Sequence, residues 1–168
     1  MTDHAAETAF PPATLEAFLR FCAGEWMSLR SRFELGEAAA LATPDDEGDE
    51  WHSSERGDLL VQFLEPGTTG DPGGLSVGPK GEPPRQLLFT GDGRFSSGEA
   101  HGQWQLWPDG SLELTLRTGS RELRERIWFT KPNLRLRATL ESSGDGSPSR
   151  ASFSSEIRRV SRPPEPAG

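Results

Sequence analysis

From Leu134 the chain alternates strictly, with Leu134, Leu136, Ala138 and Leu140 on one side and Arg135, Arg137 and Thr139 on the other. A two-residue period is that of a β-strand, and it leaves one question open, namely which side faces inward. Apolar runs of similar length recur through most of the chain and predict strands over 25–35, 58–64, 86–90, 93–98, 101–107, 111–118, 121–130, 133–141 and 150–160. One segment has helical spacing instead. Leu15, Phe18, Leu19 and Cys22 share a face, Thr14 stands at the N-cap position, and Gly24 marks the stop. Asp-Gly pairs in "TGDGR", "WPDGS" and "SSGDGS" read as tight hairpins between antiparallel neighbours. Short, locally linked strands with one apolar face must pack on a second sheet or close on themselves as a barrel.

A length of 168 residues suits one domain over 1–168. Within it, 66–84 ("PGTTGDPGGLSVGPKGEPP") reads as a flexible insertion and 162–168 as a frayed tail. The insertion fails as a phosphate loop, because Pro79 precedes Lys80 and Gly81 stands where Ser or Thr is required.

A net charge of −8 argues against a nucleic-acid partner. The charge is segregated. Between Glu34 and Asp58 nine acids face Arg56, whereas between Arg117 and Arg137 seven bases face Glu122 and Glu125. Such asymmetry fits an anionic ligand near the C-terminal half, although two oppositely charged solvated faces are the commoner cause. Cys22 stands alone and His4, His52 and His101 lack ligand spacing, so no metal site is expected. Neither a membrane span nor an apolar signal core is present, which points to the cytoplasm. No nucleophile elbow exists. Buried guanidinium groups would need a carboxylate in fork geometry, from Glu125, from Glu156 or from a ligand.

Three blocks, "FLRFCAGEWMSLRSRFEL" (18–35), "RERIWFTKPNLRLRATL" (124–140) and "ASFSSEIRRV" (151–160), occur in the order found in the S/U-type phycobiliprotein lyases. The chain resembles that CpcS/CpeS family. The resemblance implies an all-β fold, an antiparallel barrel like those of lipocalins and fatty-acid-binding proteins with one short N-terminal helix. It implies a C–S bond-forming lyase that attaches a free bilin, phycocyanobilin or phycoerythrobilin, as a thioether to a cysteine of phycocyanin, phycoerythrin or allophycocyanin. The bilin is substrate, and no permanently bound cofactor is expected.

Carried over by position, the resemblance implies Glu125 and Arg135 as catalytic residues and Arg30 and Thr139 as bilin-binding residues; Arg137 joins them as a propionate partner and Trp128, the tryptophan nearest the motif, as a ring that could stack on the bilin. Arg135 and Arg137 would face inward against the two propionates, with the leucines outward beneath the helix or at a subunit contact. On that reading Arg135 can be truncated without loss of fold. The acidic 45–50 segment is a candidate surface for the client subunit. Arg32, Phe33 and Arg124 depart from the family pattern, which usually has Ser, His and Glu there. Two other readings share the barrel: a non-catalytic carrier of a bilin or other small anion, and a partner subunit active only in a heteromeric lyase. Homodimers and heterodimers are both compatible with the resemblance.

Overall fold

The computed structural model describes residues 10–35, 52–67 and 70–160. His4, the acidic 45–50 segment, Trp51 and the tail 162–168 lie outside the described residues. Among those described, one helix, α1 (Leu15–Cys22), precedes ten strands. These are β1 (Gly24–Glu34), β2 (His52–Leu64), β3 (Gly73–Pro79), β4 (Arg85–Phe89) and β5 (Arg94–Ser97) in the first half. The second half holds β6 (Ala100–Leu106), β7 (Leu112–Thr118), β8 (Arg121–Lys131), β9 (Leu134–Ser142) and β10 (Pro148–Arg158). Each strand pairs antiparallel with its sequence neighbour, and β1 pairs with β10, so the sheet closes into a barrel without an edge.

Local chemistry explains the elements. Thr14 Oγ1 accepts a hydrogen bond from Ala17 N at 3.2 Å and starts α1. The helix stops where Ala23 turns extended and Gly24 takes φ +145°, close against the Arg158 side chain. In the hairpins the aspartates fold back on the chain, as where Asp109 Oδ1 accepts from Ser111 N and Asp145 Oδ1 from Ser147 N, both at 2.9 Å.

One expectation is corrected. Residues 73–79, read from sequence as part of a flexible insertion, form β3, with Leu75 and Val77 buried between β2 and β4. Their glycines are there for close approach. A Cβ at Gly73, which has φ +102°, would lie 2.6 Å from Leu64 O.

The interior is layered. Helix α1 buries Leu15, Phe18, Leu19 and Cys22 against Trp26, Val61, Leu75, Phe89, Leu112 and Phe129, forming an apolar floor at one end. Phe129 makes edge contacts with Phe18 and Phe21 at centroid distances of 5.2 and 4.8 Å. Arg158 ties the helix end to the barrel, donating to the carbonyls of Ala23 and Phe21 while its guanidinium lies 4.3 Å from the Trp26 ring centroid. The other end of the interior is polar.

Candidate functional site

Strand β9 buries its charged side. Arg135 is 1% exposed, whereas Leu140 on the opposite side is 41% exposed. Register then fixes the neighbours from floor to mouth, since directly paired residues share a face. Arg135, Arg137 and Thr139 lie opposite Glu156, Ser154 and Ser152 of β10, and opposite Phe129, Ile127 and Glu125 of β8. Beyond β10, Ser154 and Ser152 face Arg30 and Arg32 of β1.

Above the apolar floor these residues form a continuous ionic chain. Arg135 donates from Nε and Nη2 to the two oxygens of Glu156 at 3.2 and 3.0 Å, and its guanidinium lies 4.6 Å from the Trp26 ring centroid. Arg137 donates to Glu156 Oε1 at 3.2 Å and to Glu125 Oε1 at 2.9 Å. Thr139 Oγ1 donates to Glu125 Oε2 at 3.3 Å. Two cations meet two carboxylates, so the chain neutralises itself. Burial alone would raise the Glu156 carboxyl, but Arg137 and Arg135 outweigh it and hold the pKa below the usual carboxylate range. Burial likewise works against the Arg137 charge, and Glu125 with Glu156 reverses the effect and raises its pKa. Cys22, beneath Arg135, has its thiol pKa pushed up by burial.

On top of this chain lies a cavity of about 490 Å³, within the range of small-molecule sites. Its charged lining is Arg30, Arg32, Arg85 and Arg150 against Glu125 and Glu141. Most of these groups are already matched. Arg32 pairs with Glu55 at 3.0 Å, Arg150 with Glu34 at 2.9 Å, Glu141 with Arg121 at 3.5 Å, and Glu125 with Arg137. Arg30 is different. Among the described residues it has no carboxylate within ion-pair distance, and its Nε is buried without a hydrogen-bond partner. Burial, then repulsion from Arg32 and Arg137, lowers its pKa despite Glu125 and Glu55. A half-buried cation left this way costs free energy that an anion entering the cavity would recover. A narrow extension of about 30 Å³, bordered by Leu87, Phe95, Leu114 and Leu116, opens between Arg85 and Glu125.

The structure thus brings Arg30, Glu125 and Thr139 to the cavity and sets Arg137 and Arg135 successively deeper. Arg135 and Arg137, assigned to the propionates by the resemblance, already hold carboxylates of the protein. Both face inward, yet their partners are Glu156 and Glu125, and neither lines the cavity. Trp128 does not line this cavity. It pairs with Leu136 on the outer face, 6.4 Å from the Phe153 ring, because adjacent strand residues point to opposite sides. Sequence reasoning named Glu156 as one possible counter-ion but missed Arg85, Arg32 and Arg150. A further cavity of about 460 Å³, bordered by Glu65, Asp71, Leu88 and Arg94, lacks such a set. There Arg94 is already held by Asp92.

Comparison with known proteins agrees with this architecture. A family model described as CpeS-like protein matches residues 84–159. Chromophore lyase CpcS/CpeS 1 of Paulinella chromatophora is 42% identical over 164 residues, spanning 96% of this chain and 98% of that one. Chromophore lyase CpcS/CpeS 1 of Synechocystis sp. is 34% identical over 126 residues, spanning 74% and 60% of the two chains. Among solved structures, the S-type phycobiliprotein lyase CPES from Guillardia theta superposes with a TM-score of 0.65 at 20% identity, over 89% of this chain and 94% of that one, a likeness of fold. Relatedness at 42% identity across nearly all of both chains decides the matter: this chain belongs to the CpcS/CpeS chromophore lyase family.

Proposed function

We propose that the protein is a bilin lyase, which binds a free phycobilin in the cavity above Glu125 and promotes its attachment to a cysteine of a phycobiliprotein subunit. The observation that carries the reading is Arg30, an unpaired guanidinium with a buried, partnerless Nε on the wall of a cavity of about 490 Å³. An open-chain tetrapyrrole offers what this site lacks: propionate carboxylates for Arg30 and apolar ring faces for Leu59, Val77 and Leu123 of the lining. The names of the relatives, chromophore and phycobiliprotein lyases, support the same class.

The reaction needs no nucleophile from this chain. The client thiolate bonds to the ethylidene carbon of the bilin's A ring, the π pair of that double bond takes up a proton, and no redox change occurs. What this chain contributes is position and charge. Arg30 neutralises a propionate. Glu125 spends one oxygen on Arg137 and one on Thr139, which leaves lone pairs on both to accept pyrrole N–H groups. A carboxylate there favours the protonated, more electrophilic tetrapyrrole. Arg137, Glu156 and Arg135 hold Glu125 in place from beneath.

Purified protein mixed with phycocyanobilin and then with an apo-phycobiliprotein subunit tests the reading. Colour that stays on the denatured client in acid is the expected result. Bilin binding that never leads to covalent colour, with or without a second family member, would make the protein a carrier instead.

A further inference from the structure

The arginines of the cavity divide into two classes. Arg32 and Arg150 are engaged by Glu55 and Glu34, whereas Arg30 and Arg85 have no carboxylate within ion-pair distance among the described residues. These two stand on different parts of the wall, Arg30 on β1 and Arg85 on β4, with β2 and β3 between them. Arg85 is set in place by its strand. It pairs with Val77 and shares the inward face with Leu87 and Phe89, which are buried. Pro83 and Pro84 precede it and restrict the chain where β4 begins, and Pro83, Gly78 and Pro79 form the rim of the same cavity. Arg85 also borders the apolar extension of Leu87, Phe95, Leu114 and Leu116, with Glu125 on that border too.

We propose that Arg85 is a second carboxylate anchor of the cavity, so that a ligand with two acidic groups is held from two strands at once, by Arg30 on β1 and Arg85 on β4. The inference rests on the bilin-binding reading and adds to it a specificity-determining residue. Two unmatched guanidinium groups around one cavity suit a dianion better than a monoanion, because each carboxylate then meets a cation that no side chain already occupies. A ligand so held is fixed in position and tilt, since a single anchor would leave it free to swing about one point.

The test compares phycocyanobilin with its dimethyl ester, in which both propionates are blocked, by absorbance titration of wild type, Arg85→Ala and Arg85→Lys. Wild type is expected to bind the diacid more tightly than the diester. Arg85→Ala should bind the diacid about tenfold more weakly while binding the diester as wild type does, and Arg85→Lys should recover part of the loss. Melting temperatures should agree among the three proteins, since Arg85 is exposed at the rim. Wild-type affinity of Arg85→Ala for the diacid overturns the assignment and leaves the lyase reading intact. Equal weakening for diacid and diester also overturns it, since the residue would then shape the cavity without meeting a carboxylate. Failure of the wild-type protein to bind the diacid removes both the assignment and the reading it rests on.

Discussion

Arg135 and Glu156 face each other across β9 and β10 in a two-point ion pair whose side chains are 1% and 2% exposed. This relationship changes the meaning of the arginine-rich strand. Charge was taken out of water in the barrel interior, and the protein matched it with its own carboxylate. Removing one partner of such a pair typically costs about 3–5 kcal/mol, because the other is left buried and unmatched. Glu156→Gln and Arg135→Ala should therefore each destabilise strongly in chemical denaturation, contrary to the sequence expectation that Arg135 is dispensable for folding. The pairwise replacement Arg135→Met with Glu156→Leu should be much milder. Single variants within about 1 kcal/mol of wild type would show that the pair is solvated.

Acid should act through the same carboxylate. The native pKa of Glu156 lies below its unfolded value, because Arg137 and Arg135 outweigh its burial. Its contribution to stability is then complete above the unfolded glutamate pKa of about 4.3 and is lost as pH falls through the native value. Denaturation midpoints measured from pH 7 downward should fall below about pH 4. The Glu156→Gln variant should show a flatter decline over the same window, and identical slopes in the two proteins would contradict the assignment.

Cys22 should be inert in the folded protein. It is 1% exposed beneath Arg135, and burial raises its thiol pKa, so both access and thiolate are lacking. A thiol reagent at pH 8 should label it only after denaturation. Rapid labelling of native protein would mean that helix α1 does not cover the floor.

Glu125→Gln separates holding from reacting. The amide keeps the shape and one acceptor oxygen but loses the charge that favours a protonated tetrapyrrole, while Arg137 retains Glu156. Bilin binding should persist within a few-fold and the transfer rate should fall about 100-fold, the scale of proton-transfer contributions. Unchanged transfer would reduce Glu125 to a counter-ion for Arg137.

Much of the fold was legible because its signals are local. The Asp-Gly hairpins, the Thr14 cap and the two-residue period of β9 all read directly. β3 did not, since the glycines that let it lie against Leu64 and Leu87 are the residues that signal a loop in isolation. The site was legible in part. Periodicity placed Arg135 and Arg137 on one face without saying which way that face points; the family resemblance supplied the direction, and neither could say that Glu156 fills the role assigned to a ligand. Trp128 was drawn in by its closeness to Glu125 in the chain, although its parity already set it apart. Arg85 carried no signal, being a lone arginine after two prolines that becomes a wall residue only when the barrel closes.

A crystal structure of the protein with phycocyanobilin tests the central claim most directly. The expected result is a propionate carboxylate in charge-assisted hydrogen-bond contact with the Arg30 guanidinium, about 2.7–2.9 Å away, with Arg135 still on Glu156. Pigment seated on the outer face of β9 and β10, or inside with its carboxylates on Arg135 after expelling Glu156, would contradict the account.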